Sequence, residues 1–260
     1  MADKKPLILL VNDDGYKSKA LITLAGIASN YGNVAIVAPD TEMSGMSHAI
    51  STGKDIRVRS RDIIFGVDSF HVCTGTPVDC VKIGLHKILD THPDLILSGI
   101  NYGLNAAACT HYSGTVAAAR EGALHGIPSI AFSSGKYYDI KDDLSYCTDI
   151  ISGIIANVLI APRDRFNNFF LNVNIPDLPP EKIKGIKVCR LNKGYWEEEF
   201  NRGLSFFGQN RERLGGQFIN TEPDAEDTDE AALRSGYVAI SPVTIDITDY
   251  KAVEMLNRFL

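Results

Sequence analysis

The sequence LILLVNDDGY occupies residues 7–16 and sets the interpretation of the whole chain. Its apolar half predicts a short strand that is buried on both faces of a sheet, and its polar half predicts a turn at the strand's end. A second apolar run lies at residues 34–38, and the segment between the two has apolar residues at helical spacing with Gly32 near its end. Strand, helix and strand in this order predict a βαβ unit with parallel strands.

The alternation continues along the chain to about residue 173. A helix is predicted with Thr76 as its N-cap and Pro77 in its first turn. Further elements follow as strands at residues 94–98, 130–133 and 169–173 and helices at residues 115–125 and 144–158. This order predicts an α/β fold with an open, doubly wound sheet, whose ligands bind beyond the carboxyl ends of the strands.

Two regions depart from the alternation. Residues 56–72 alternate apolar and polar side chains, which predicts a β-hairpin excursion within the same domain. Residues 176–241 are interpreted as a β-rich extension of the core, and their acidic run at 222–230 is expected to be a solvated surface loop. A C-terminal helix is predicted from the spacing of three apolar residues, Val253, Leu256 and Leu260.

Composition argues against several classes of protein, among them binders of nucleic acid duplexes and membrane-spanning proteins. The 260 residues carry 26 Lys and Arg against 32 Asp and Glu, a formal net charge of −6, which argues against binding of nucleic acid duplexes or anionic membranes. No apolar run approaches the roughly 20 residues of a membrane span. The five scattered cysteines contain no Cys-x-x-Cys pair, which favours a reducing, cytoplasmic location. We expect one domain over residues 1–260, with a core at about 1–176 and the extension and C-terminal helix at about 177–260.

The first predicted strand ends in two adjacent carboxylates, Asp13 and Asp14. Adjacent carboxylates repel each other unless a cation or hydrogen-bond donors offset the charge, and this end of the sheet is where ligands bind. A metal site is therefore one expectation for the pair. A strand-end turn, in which Asn12 and the aspartates bond backbone donors and Gly15 takes a positive φ, explains the motif equally well.

A second polar loop follows the strand at residues 34–38 and contains Ser44 and His48. Such a loop can offer a metal ligand or a phosphate donor, although taken alone it is most simply a flexible connection. Loops at the ends of neighbouring strands converge, so we expect Ser44 to approach Asp13 and Asp14. Their oxygens are hard donors that suit Mg²⁺, Mn²⁺ or Ca²⁺ better than zinc.

A third loop follows the strand at residues 94–98 and carries Asn101 and Asn105. It leads through Ser113-Gly114-Thr115 into a helix, and the N–H groups of a helix N-terminus suit an anion such as phosphate. Taken alone, this segment is more simply an ordinary Ser/Thr N-cap. A cation site beside a phosphate cradle points to metal-assisted phosphoryl chemistry.

Five stretches carry a resemblance to a known family: LLVNDDGY, VAPDTEMSGMSHAIS, TGTPVDCVKIGL, DLILSGINYGLN and YSGTVAAAREGALHGIPSIAFS. In this order and spacing they resemble the SurE family, stationary-phase survival proteins that act as metal-dependent nucleotide phosphatases. The resemblance covers residues 7–134 and continues more loosely through LNVNIP at 171–176 and GYVAISP at 236–242. It implies a Rossmann-like three-layer core, a β-rich C-terminal extension used to form a homodimer or homotetramer, and hydrolysis of nucleoside 5′- and 3′-monophosphates, sometimes also of short polyphosphate.

The resemblance also assigns residues. One divalent metal ion per subunit, Mg²⁺ or Mn²⁺, is expected at the positions that match the family's ligands, which are Asp13, Asp14, Ser44 and Asn101. The positions that match the phosphate-binding residues are Asn105, Ser113, Gly114 and Thr115. One stretch departs from the family pattern: a Gly and then an Asp usually follow the second Asn, and here the chain continues as Ala106-Ala107-Ala108-Cys109-Thr110.

We hypothesise that the metal ion polarises a phosphate oxygen and lowers the pKa of a bound water, with Asp13 and Asp14 as the catalytic pair. A mechanism through an aspartyl-phosphate, as in haloacid dehalogenase phosphatases, ranks second because the Asp-x-Asp spacing is missing. A non-enzymatic, receiver-like signalling module is the other alternative, and the length of the chain argues against it. Four aromatic residues fit either a nucleobase stack or an oligomer interface: Tyr195, Trp196, Phe206 and Phe207.

Overall fold

The fold is organised around a central sheet. It is seen in a computed structural model of the protein, which describes residues 5–64, 66–136, 144–202 and 212–260. Its strands in chain order are β1 Leu7–Val11, β2 Asn33–Pro39, β3 Val58–Ser60, β4 Ser69–Cys73, β5 Leu95–Tyr102, β6 Ser129–Ser134, β7 Phe169–Ile175 and β8 Ile186–Val188. Four short strands form two small ribbons outside it: β9 Gly194–Glu197, β10 Phe200–Arg202, β11 Glu212–Leu214 and β12 Gln217–Asn220. The last strand, β13 Val238–Thr244, returns to the central sheet.

Six helices accompany these strands in the described part of the chain: α1 Lys19–Ala28, α2 Pro77–Ile83, α3 Gly114–Leu124, α4 Thr148–Ile160, α5 Asp229–Arg234 and α6 Tyr250–Leu256. The order across the central sheet is β3-β4-β2-β1-β5-β6-β7-β13-β8. Neighbours from β4 to β7 are parallel, whereas β3 and β13 run antiparallel to β4 and β7. The predicted doubly wound α/β fold is therefore confirmed.

The two faces of β1 show why the fold has three layers. Ile8 and Leu10 pack into the cluster that contains α1 and α4, while Leu9 and Val11 pack into the cluster that contains α2. All four side chains are fully buried. Burying a large aliphatic side chain contributes about 1.5–3 kcal/mol, so a strand that is apolar on both faces is stable only between two helical layers.

Local signals fix the start of α2. Thr76 caps it by accepting a hydrogen bond from the Asp79 N–H, and the Asp79 carboxylate accepts one from the Thr76 N–H in return. Pro77 occupies the first turn, where its missing N–H has no intrahelical partner to lose. The predicted N-cap is confirmed with a capping box as well.

The excursion at residues 56–72 contains β3 and β4, an antiparallel pair at one edge of the central sheet, as predicted. The C-terminal helix is confirmed as α6, which ends before Leu260. The solvated loop predicted at residues 222–230 is wrong at its end, because Thr228 and Asp229 are fully buried and Asp229 begins α5. The Asp229 carboxylate can be buried because distant backbone N–H groups donate hydrogen bonds to it. A local pattern of charged residues does not reveal these contacts.

The β-rich extension is continuous with the core, because β13 pairs with β7 and carries β8 on its other side. The division of the chain at about residue 176 stays a prediction. Across the part of the chain that the structure describes, none of the helices combines the length and apolar character needed to cross a bilayer.

Candidate active site

The carboxyl end of β1 carries three buried polar residues, Asn12, Asp13 and Asp14. The Asn12 side-chain amide donates to the Gly15 carbonyl over 3.0 Å and closes the turn. Gly15 has φ +87°, and a Cβ there would lie 3.2 Å from the Thr41 backbone. A glycine is favoured because this positive φ is strained for other residues and a Cβ would lie tight against the neighbouring chain.

Asp13 is held by the N-terminus of α3. Its Oδ2 accepts a hydrogen bond of 3.0 Å from the Thr115 N–H, and its Oδ1 accepts a short one from the Thr115 hydroxyl. Gly114 makes this approach possible, because a Cβ there would lie 3.0 Å from the Asp13 Cβ. Burial raises the pKa of Asp13, and the two Thr115 bonds oppose that increase by stabilising the carboxylate.

Asp14 lies in a different electrostatic setting. Its carboxylate accepts from the Tyr102 N–H, but no donor among the described residues reaches its buried Oδ2. Burial, followed by the charges of Asp13 and Glu42, raises the pKa of Asp14 to about 8. A buried carboxylate oxygen without a donor is unfavourable unless a proton or a cation occupies it.

Asn101 is carried to the same edge by β5, whose pairing with β6 shifts register between Ser98 and Asn101. Its amide nitrogen donates to the carbonyls of Tyr102 and Gly103 over 3.2 and 2.8 Å, which leaves Oδ1 as the end available to a cation. Ser44 is exposed in the loop after β2, and its hydroxyl donates to Glu42 over 3.0 Å. A donating hydroxyl keeps its lone pairs for a metal ion.

The predicted phosphate-binding residues divide into two groups. Ser113 caps α3 by accepting from the Val116 N–H over 3.1 Å, and Asn105 lies beside it in the cleft wall. Thr115 is fully buried behind Asp13, and both its donors are used there. The structure therefore gives Thr115 a role in orienting Asp13, while contact of the four residues with phosphate stays a prediction.

A cleft of about 710 Å³ opens at this edge. Sequence-predicted residues from all three loops line it, namely Asp13, Ser44, Asn101, Asn105 and Ser113. Asp14, Gly114 and Thr115 lie behind this lining. The expected convergence of the three loops is present, in a volume typical of small-molecule sites, which hold about 300–1,000 Å³.

The opposite wall of the cleft comes from the C-terminal half of the chain. Trp196 on β9 lines it together with Glu199 and the segment at residues 214–216. The indole N–H of Trp196 donates to the Cys109 sulfur, which fixes the ring at the cleft. Tyr195 is half exposed and bonds Glu197, while Phe206 and Phe207 lie outside the described residues.

A further buried carboxylate, Glu121 on α3, connects the Ser44 loop to this helix. His48 from that loop contacts Glu121 over 2.9 Å, and Lys82 and His125 contact its other oxygen over 2.5 and 3.2 Å. Burial alone would raise the pKa of Glu121, but the hydrogen bonds from His48 and Lys82 lower it to about 2. The sequence interpretation left His48 without a specific role, because the partner lies 73 residues away.

The donor set fits a hard divalent cation. Asp13, Asp14, Ser44 and Asn101 offer carboxylate, hydroxyl and amide oxygens, and the unpartnered Asp14 Oδ2 is a natural ligand. Within the described ranges no group of three or more His, Cys, Asp or Glu residues is arranged to hold a metal ion, so a zinc-type site of that kind is not found there.

Comparison with known proteins identifies the family of the chain. The family model described as survival protein SurE matches residues 8–198. A protein named 5′-nucleotidase SurE from Cytophaga hutchinsonii is 40% identical over 98% of this chain and 96% of its own length, and one of the same name from Christiangramia forsetii is 41% identical over 100% and 98%. The crystal structure of the SurE protein from Aquifex aeolicus superposes with a TM-score of 0.80 at 36% identity, covering 97% of this chain and 99% of the other.

Proposed function

The chain belongs to the SurE family, and on this premise we propose that it is a divalent-metal-dependent phosphatase that hydrolyses nucleoside 5′- and 3′-monophosphates to nucleoside and phosphate. Short polyphosphate is proposed as a further substrate. The observation that carries the proposal is the buried, unpartnered Asp14 oxygen, which lies beside Asp13 at the end of β1. The helix N-terminus of α3 adjoins the same cleft.

Asp13, Asp14, Ser44 and Asn101 would hold one Mg²⁺ or Mn²⁺ ion, which supplies charge to polarise a phosphoryl oxygen and to activate water. Thr115 orients Asp13 through two hydrogen bonds that favour the charged form of its carboxylate. Asn105 and Ser113 lie where donors can stabilise negative charge on the phosphoryl oxygens, a contribution of about 3 kcal/mol for a well-placed donor.

The wall of the cleft that contains Trp196 is proposed to bind the nucleoside. Trp196 gives this wall an aromatic ring, and Tyr112 and Leu104 add aromatic and aliphatic surface elsewhere in the cleft lining. A nucleobase gains about 1–3 kcal/mol by stacking on an aromatic ring. We expect Trp196→Ala to raise KM for AMP about tenfold and to leave KM for ribose 5-phosphate, which has no base, within twofold.

The experiment that tests the function is release of inorganic phosphate from 5′-AMP, 3′-AMP and tripolyphosphate with Mn²⁺ or Mg²⁺. Wild type is compared with Asp13→Asn and with Asp40→Asn, a matched change at the end of the neighbouring strand β2. We expect metal-dependent release by wild type and Asp40→Asn and little by Asp13→Asn. The proposal is wrong if wild type releases none, or if folded Asp13→Asn keeps the wild-type rate.

We also propose a homodimer or homotetramer that works in the cytoplasm. Helix α6 contains no buried residue in the isolated chain, and Tyr250, Met255 and Phe259 in or after it are exposed. Such an apolar segment is stabilised when a second subunit covers it. Light scattering after size exclusion is expected to give two or four times the chain mass of 28.4 kDa, and a monomer would contradict the proposal.

A further inference from the structure

Asp229 is a fully buried carboxylate far from the cleft in sequence. Three backbone N–H groups donate to it: Ala107 to Oδ2 over 2.8 Å, and Asn192 and Glu230 to Oδ1 over 2.8 and 2.9 Å. A carboxylate is rarely buried in this way unless donors satisfy it, so its contacts identify what it does. The contact with Ala107 joins residues 122 apart in the chain.

Ala107 begins the 3₁₀ turn Ala107–His111 that connects Asn105 to Ser113. Its φ is +47°, in the left-handed region that residues other than glycine seldom adopt. The residue is 3% exposed, so its N–H has no access to bulk water. Without Asp229, the turn would combine an unfavourable φ with an unpaired buried donor.

The peptide groups of Asn105 are fixed from the other side by β7. The Asn105 N–H donates to Asn174 Oδ1 over 2.8 Å, and the Asn105 carbonyl accepts from the Asn172 amide over 2.8 Å. Its side-chain amide donates to the Ser133 hydroxyl over 2.8 Å. Asn105 is thus held on its strand side, and the chain leaving it is held by Asp229 two residues later.

We propose that Asp229 is a positioning residue for phosphate binding, which sets the direction of the chain between Asn105 and Ser113 from the C-terminal half of the protein. The inference rests on the proposed function only in assigning phosphate to Asn105 and Ser113. Asp229 does not line the cleft and is fully buried, so a substrate bound in the cleft would not contact it. It acts through the Ala107 N–H, in the stretch at 106–110 where the chain departs from the family pattern.

The test compares Asp229→Asn with Asp227→Asn. The second variant removes the same charge from the same segment, but Asp227 is exposed and bonds the Arg190 side chain over 2.9 Å. An asparagine at 229 has one acceptor oxygen, so it leaves unpaired either the Ala107 N–H or the N–H groups of both Asn192 and Glu230. The readouts are calorimetric binding of inorganic phosphate and of Mn²⁺, together with KM and kcat for AMP.

For Asp229→Asn we expect phosphate binding about tenfold weaker and KM for AMP raised about tenfold, with Mn²⁺ affinity within twofold of wild type. Asn101 lies within β5, and the other three proposed metal ligands follow β1 and β2, so none of them belongs to the turn that Asp229 holds. Asp227→Asn should match wild type in all readouts. The inference is overturned if Asp229→Asn binds phosphate as tightly as Asp227→Asn, or if Mn²⁺ and phosphate binding weaken together.

The two proposals fail separately. If wild type binds phosphate but releases none from AMP, the proposed function is wrong, and tenfold weaker phosphate binding by Asp229→Asn still supports the inference. If wild type does not bind phosphate, both are overturned. Should Asp229→Asn not fold, Asp229→Glu replaces it, because glutamate keeps the charge and both acceptors but displaces them by one methylene group. Weaker phosphate binding with unchanged Mn²⁺ affinity then supports the inference, and wild-type phosphate binding overturns it.

Discussion

Asp14 and Asp229 are both buried carboxylates, 5% and 0% exposed, but their surroundings differ in one decisive respect. Backbone donors satisfy both oxygens of Asp229, whereas no donor in the described part of the chain reaches Asp14 Oδ2. A satisfied carboxylate stabilises the structure that holds it, and an unsatisfied one favours binding of a cation. We propose that this difference separates a residue that holds the backbone, Asp229, from a residue that binds a metal ion, Asp14.

The largest expected effect is on activity at the unsatisfied carboxylate. Asp14→Asn should lower phosphate release from AMP at least about 100-fold, because a metal ligand and its charge are lost. The variant should still fold, since the change removes an unfavourable buried charge. A phosphate-release assay checks the first point and urea unfolding the second. Equal activity of Asp14→Asn and Asp40→Asn would contradict the metal-site assignment.

The pH dependence of metal-free protein gives the second test. Burial raises the pKa of Asp14 to about 8 from an ordinary value of 3.8, so between these values the folded state binds more protons than the unfolded state. The free energy of unfolding should therefore fall as pH rises from 5 to 8, by about 4 kcal/mol in total. Urea unfolding in EDTA measures it. Asp14→Asn should show a flatter dependence, and an unchanged slope would exclude Asp14 as the source.

At Asp229, whose oxygens have donors, we expect substitution to change the free energy of unfolding in the direction opposite to substitution at Asp14, and by a smaller amount than the pH effect. Asp229→Asn should lower the free energy of unfolding by about 1–2 kcal/mol, because one buried N–H loses its acceptor. In EDTA at pH 8, Asp14→Asn should instead leave it unchanged or raise it. Urea unfolding of Asp229→Asn and Asp14→Asn measures the difference, with Asp227→Asn as the control. A shift of the free energy of unfolding in the same direction for Asp229→Asn and Asp14→Asn would contradict this comparison.

Glu121 differs from both Asp14 and Asp229, because side chains, and not backbone N–H groups, donate hydrogen bonds to its oxygens. The pKa of its carboxyl is lowered to about 2, so its contribution is present above about pH 4.5 and is lost as pH falls toward 2. Glu121→Gln should destabilise by about 1 kcal/mol at pH 6, a small value because Lys82 and His48 are partly exposed to solvent. The matched control is the exposed Glu181→Gln. A difference that persists at pH 2.5 would contradict this assignment.

Local patterns predicted the strands and helices well, and they also predicted that three polar loops converge at one edge of the sheet. The doubly apolar run LILLV indicates a central strand because both faces of β1 are buried, and NDDG indicates a site because a parallel sheet gathers such turns at one edge. The role of Thr115 behind Asp13 was not predicted, because an N-cap pattern does not show which side chain faces the helix end.

The contacts that hold the turn between Asn105 and Ser113, and the position of Trp196, could not be predicted from the sequence. Asp229 lies in an acidic run that is typical of solvated loops, and its burial depends on an N–H at Ala107, 122 residues earlier. Trp196 was open to two interpretations, and its place in the cleft depends on how β9 folds back toward Cys109. Contacts of this range depend on the assembled sheet and have no local signal.

The most direct measurement is a calorimetric titration of Mn²⁺ into metal-free wild type, Asp14→Asn and Asp229→Asn. If an unsatisfied buried carboxylate marks the cation site and a satisfied one marks the scaffold, wild type and Asp229→Asn bind one Mn²⁺ per chain with similar affinity. Asp14→Asn then binds none under the same conditions. Binding of Mn²⁺ by Asp14→Asn with wild-type affinity would contradict the account.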